Sequence, residues 1–136
     1  MTAATNTLRD DAARRTAIGV HDRSILVEAG AGSGKTAVMA GRIAAMLAEG
    51  IAPKSIAAVT FTELAASELL IRVRDFVADL ATGTIPTELR IAFPDGLSAN
   101  HNENLAARRE RDGPQPSRSR FHRNRRDVAA RTALGR

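Results

Sequence analysis

The chain has 136 residues, a formal net charge of +5 and no cysteine, which leaves room for one small domain or part of a larger one and excludes disulfides and thiolate metal sites. Its three histidines (His21, His101 and His122) are far apart and offer no ligand spacing. Residues 1–105 carry ten Arg or Lys against twelve Asp or Glu, whereas residues 106–136 carry ten Arg against three acids, so the basic character belongs to the C-terminal stretch and not to what precedes it.

Leu8 to Ile18 reads as a short helix, with Asp10 and Asp11 near its start and Arg14-Arg15 toward its end, a polarity that suits the helix dipole. His21 to Ser24 is a turn. Ile25-Leu26-Val27-Glu28-Ala29 then forms an apolar strand that feeds Gly30-Ala31-Gly32-Ser33-Gly34-Lys35-Thr36. Glycine tolerates positive φ and puts no Cβ between the backbone and a ligand, so successive amides converge on an anion at the N-terminus of the next helix. Lys35 is placed to reach the β- and γ-phosphates of a nucleotide, and the Thr36 hydroxyl to coordinate Mg²⁺. The stretch from Ala29 to Thr36 therefore reads as a phosphate-binding P-loop, with Ala29 where the usual pattern has glycine.

Past the loop, Met39, Ile43, Met46 and Leu47 recur on one face of a helix, and Ala37, Ala40, Gly41, Ala44 and Ala45 let it pack close to a sheet. Gly50 and Pro53 end it. Ser55 to Phe61 is a second strand, apolar on both faces as in parallel sheets. Thr62 is suited to N-cap the helix that follows, on which Leu69, Val73, Phe76, Val77 and Leu80 keep helical spacing until Gly83 and Pro86. The order helix, strand, loop, helix, strand, helix predicts an α/β domain on a parallel sheet with flanking helices.

Beyond Thr84 the periodicity weakens: Thr87 to Ala92 suggests a short helix, and Phe93-Pro94-Asp95-Gly96 a turn. In residues 106–136 only Phe121, Val128 and Leu134 are large and apolar, too few to offset the entropy of ordering the segment. The expected organisation is a domain over residues 1–105 and a disordered Arg-rich tail over 106–136. The chain has no apolar run of membrane-spanning length, and residues 1–20 lack the apolar core of a secretory signal; a cytoplasmic location and no membrane partner are the default.

Thr60-Phe61-Thr62-Glu63-Leu64-Ala65-Ala66-Ser67-Glu68-Leu69 with Arg72 closely resembles motif Ia of superfamily 1 DNA helicases of the UvrD/Rep type. Ala29 to Thr36 resembles motif I of the same family, and Arg42, Gly50, Pro53 and the Ile56–Thr60 run keep its order and spacing. Val27-Glu28-Ala29-Gly30 is similar to the RecB/AddA-like helicase–nuclease branch. The match covers about residues 8–80. The resemblance implies a partial RecA-like motor domain that binds ATP and Mg²⁺ and contacts single-stranded DNA, with Phe61 stacking on a base and Thr60 and Thr62 on phosphates. Arg72 and Arg74 are further phosphate candidates or members of a solvated helix face.

The departures are informative. The family's adenine-reading glutamine has no match, Arg14 or Arg15 standing in that neighbourhood, and Ala37 stands where Arg is usual. No strand ending in Asp-Glu is present, so the carboxylates that hold Mg²⁺ and activate water are missing, and Asp79 lies on a helix. Phosphoryl transfer depends on several such parts acting together. The reading is thus the N-terminal, ATP-binding portion of a DNA-dependent ATPase and helicase, catalytically incomplete as a chain of this length and expected to be a truncated or frame-disrupted product. The alternatives are another small P-loop enzyme and a basic nucleic-acid binder. With no strand between the two predicted ones to pair them, open sheet edges and self-association are expected.

Overall fold

The computed structural model describes residues 10–112. They form four α-helices: α1 (Asp11–Gly19), α2 (Lys35–Ala48), α3 (Glu63–Ala81) and α4 (Ala99–Asp112), with short 3₁₀ turns at Pro53–Ser55 and Thr87–Leu89. α2 is the hub, packed against α1, α3 and α4.

The expected parallel sheet is not formed, and no strand occurs among the described residues. Residues 25–29 and 56–60 lie where the sequence predicts the two strands but pair with nothing. The physical reason is the one the sequence hints at. A strand that is apolar on both faces is stable only when neighbours take its backbone groups and cover its side chains. Here Leu26 and Val59 are 85% and 87% exposed. The expectation of association through open sheet edges falls with the sheet, because no ladder exists among the described residues to present an edge.

The core is helical instead. Ala40, Ala44 and Ala48 recur every four residues on α2 and are wholly buried. They meet Leu69, Val73, Phe76 and Leu80 of α3, Ile18 of α1, Leu89 and Phe93 of the connecting segment, and Leu105 of α4. Thus the small residues of α2 form its most closely packed face; of the larger ones, Leu47 is buried and Ile43 packs against the core, whereas Met39 is 42% exposed and Met46 half-buried. Small side chains bring helix axes close, and Gly41 is the tightest point: a Cβ there would lie 2.8 Å from Leu89 Cδ2 and 3.5 Å from Ile18 Cδ1.

Caps from distant residues hold the helices together. Arg42 Nη1 donates to the Ala17 and Val20 carbonyls (2.8 and 2.6 Å), closing the C-terminal end of α1. His21 lies between the Ile18 carbonyl and the Glu49 carboxylate, at 2.8 Å from each. Asn104 Nδ2 donates to the Ala48 carbonyl (3.0 Å), and Arg108 donates to the Leu47 (3.1 Å) and Ile51 carbonyls, closing the end of α2. At the start of α4, Ser98 and His101 exchange hydrogen bonds, each 3.2 Å long, as a reciprocal cap.

The disordered tail expected from residue 106 onward is corrected in part. Residues 106–112 continue α4, and Leu105 and Arg108 tie that helix to the core and to α2. The rest of the predicted tail, with His122, lies outside the described residues.

Candidate functional site

The segment before α2 turns through two left-handed glycines, Gly32 (φ 73°) and Gly34 (φ 85°). No other residue type adopts that backbone at so little cost. Ser33 closes the turn on Gly30: its N–H and Oγ both donate to the Gly30 carbonyl, at 3.3 and 2.6 Å. Gly34 is the N-cap of α2 and contributes no side-chain cap, so the amides of the first turn have no acceptor in the helix. A Cβ at Gly30 or Gly32 would meet nothing within 4 Å, which leaves the inner side of the loop open. Open space, uncapped amides and the positive end of α2 together fit an anion of phosphate size.

Lys35 Nζ reaches back across the loop and donates to the Ala29 carbonyl at 2.7 Å. Ala29, Gly30, Ala31, Gly32, Ser33, Gly34, Lys35 and Thr36, the predicted site, thus form one continuous turn over the start of α2. Thr36 is exposed on the first turn and opens onto a cavity of about 640 Å³ whose walls include Glu68, Arg72, Asp75, Asp79 and Glu88. No group of three His, Asp or Glu among the described residues is arranged to hold a metal ion.

Sequence reasoning does not foresee the role of Arg14. Its Nε pairs with Asp10 Oδ2 at 2.6 Å, four residues earlier on the chain, and its Nη2 donates to the Ser33 carbonyl at 2.8 Å. α1 is therefore strapped to the loop. The Asp10–Arg14 spacing is legible as a helical ion pair; the bond to Ser33, across 19 positions, has no sequence signal. Between α1, the 25–29 segment and the loop lies a second cavity of about 410 Å³, with Ala13, Ala17, Ile25 and Val27 among its apolar walls and Asp10, Arg14, Glu28, Ser33 and Lys35 among its polar ones.

The predicted DNA-contacting residues sit together ahead of α3. Thr62 is its N-cap, accepting from the Ala65 N–H at 3.1 Å, and Thr60 Oγ1 donates to the Thr62 carbonyl at 3.1 Å. Phe61 is fully exposed. Arg72 and Arg74 are both exposed on α3.

A family model described as the UvrD/REP helicase N-terminal domain matches residues 10–111. The chain belongs to that family. It is 34% identical over 93 residues to an ATP-dependent helicase/nuclease polypeptide of Pediococcus pentosaceus, a match that covers 68% of this chain and 8% of that protein. It is 44% identical over 66 residues to the ATP-dependent DNA helicase PcrA of Staphylococcus aureus, covering 48% of this chain and 9% of the relative. The ATP-dependent DNA helicase UvrD1 of Mycobacterium bovis is 50% identical over 64 residues, covering 46% and 8%. No solved structure matches. This UvrD/Rep domain thus spans less than a tenth of the length of the curated relatives it matches. No helix among the described residues is long and apolar enough to cross a membrane.

Proposed function

We propose that residues 29–36 bind the phosphates of ATP and that the domain serves as the N-terminal, nucleotide-binding portion of an ATP-dependent DNA helicase. The observation that carries this is the loop itself: two left-handed glycines deliver the chain to an uncapped helix N-terminus, with Lys35 folded over the opening. A phosphate oxygen would replace the neutral Ala29 carbonyl as the partner of Lys35, a stronger, charge-assisted bond. The Thr36 hydroxyl is the one Mg²⁺ ligand the loop supplies. Named relatives that are ATP-dependent DNA helicases support the same reading.

Thr60, Phe61 and Thr62 are the proposed single-stranded DNA contacts. A wholly exposed phenyl ring between two threonines is suited to stack on a base, a contact worth about 1–3 kcal/mol and indifferent to sequence. Hydrolysis is not proposed for this chain alone. Its sequence contains no Asp-Glu pair to organise water and metal, and phosphoryl transfer needs several such parts at once. The nucleotide-binding unit extends through α4, beyond the boundary that the Arg excess suggests.

Equilibrium titration of the 136-residue chain with Mg²⁺-ATP and with adenosine tests this. ATP should bind at least about 100-fold more tightly than adenosine, as two or three charge-assisted phosphate bonds imply. Equal affinities would remove the phosphate loop from the account.

A further inference from the structure

We propose that Arg14 is a second phosphate-binding cation of the loop, acting from α1 alongside Lys35. The inference rests on the nucleotide reading above and adds a residue to it. Three observations carry it. The guanidinium is anchored at two points: Nε on the Asp10 carboxylate and Nη2 on the Ser33 carbonyl. Its remaining nitrogen, Nη1, makes no hydrogen bond among the described residues and lies over the loop, 3.5 Å from where a Cβ on Gly34 would stand. Arg14 and Lys35 both line the cavity of about 410 Å³ that abuts the loop, together with Asp10, which Arg14 neutralises, and Glu28.

The chemistry follows from that placement. Gly34 precedes the first residue of α2, so Nη1 stands beside the amides that would take a phosphate. A guanidinium is always charged, presents only donors and matches phosphate oxygens in its fixed plane. The Asp10 pair holds that plane still, so little side-chain entropy is lost when an anion arrives. The bond to the Ser33 carbonyl also gives a donor to an oxygen that would otherwise repel a phosphate.

The test uses the full chain and two probes, Mg²⁺-ATP and inorganic tripolyphosphate, with wild type, Arg14→Gln, Arg14→Lys, Asp10→Ala and Lys35→Ala compared at several salt concentrations. Thermal melts establish that each variant is folded. Arg14→Gln keeps a donor for Ser33 and loses the charge. It should bind both probes about tenfold more weakly, with a shallower dependence on salt, because one fewer charge meets the phosphates. Arg14→Lys should recover part of the loss, and Asp10→Ala, which keeps the cation, should stay within about threefold of wild type.

If Arg14→Gln binds both probes like wild type while Lys35→Ala does not, Arg14 is only a strut and the proposal fails alone. A loss confined to ATP, with tripolyphosphate unchanged, places Arg14 at the base and also overturns it. If wild type binds neither probe, the nucleotide reading fails and this proposal with it.

Discussion

Arg108, on α4, donates from Nε to the carbonyl of Leu47, on α2, at 3.1 Å, and a second nitrogen of the same guanidinium takes the Ile51 carbonyl. Sixty-one positions apart in the chain, the two residues close the C-terminal end of the central helix. Charged donors near a helix C-terminus satisfy its orphan carbonyls and complement its dipole. Arg108→Ala should lower stability by about 1–3 kcal/mol, with chemical denaturation as the measurement. Truncation after Leu105 should cost more than truncation after Asp112, since only the shorter chain loses Arg108. Equal melting of the two truncations would show that the end of α4 contributes nothing.

Packing at Gly41 gives a second expectation. Its absent side chain faces Leu89, which is completely buried, so the leucine can give way only by displacing its neighbours in the core. Gly41→Val should destabilise the domain by about 1–3 kcal/mol through overpacking. Gly19, where a Cβ meets nothing within 4 Å, is the control. Gly19→Ala should fall within about 0.5 kcal/mol of wild type, and a greater loss there than at Gly41 would refute the packing scheme.

How much of this can be read from the sequence differs by element. α3 is legible because its burial is periodic: Leu69, Val73, Phe76 and Leu80 are buried as their spacing requires. The loop is legible because Gly32 and Gly34 have few other reasons to precede Lys35. The sheet is not. Ile25–Ala29 and Ser55–Phe61 have strand composition, but strand formation is a property of a pair, and composition does not report whether a partner exists. On α2 the small residues pack closely as read, but against helices and not a sheet, while of the predicted large apolar face Leu47 and Ile43 reach the core and Met39 stays 42% exposed. The structural roles of Arg14, Arg42 and Arg108 are not legible, because bonds from side chains to distant carbonyls leave no mark in local pattern.

Phe61 separates binding from folding. Its ring is outside the core, so Phe61→Ala should leave stability within about 0.5 kcal/mol of wild type. Affinity for oligo-dT, read by fluorescence anisotropy at fixed salt, should drop by at least about fivefold, the lower end of what one stacked base contributes. Unchanged DNA affinity with an unchanged melt would take Phe61 out of the interface.

The most direct test of the central claim is calorimetric titration of Mg²⁺-ATP into the wild-type chain and into Lys35→Ala. Lys35 sits over the mouth of the loop, 2.7 Å from the Ala29 carbonyl and exposed, so its removal leaves the fold intact. The account predicts saturable binding by wild type and a loss of at least about 100-fold in the variant, with matching thermal melts, since a charge-assisted phosphate contact and the cation that completes the cradle vanish together. Equal affinity in the two proteins would contradict it.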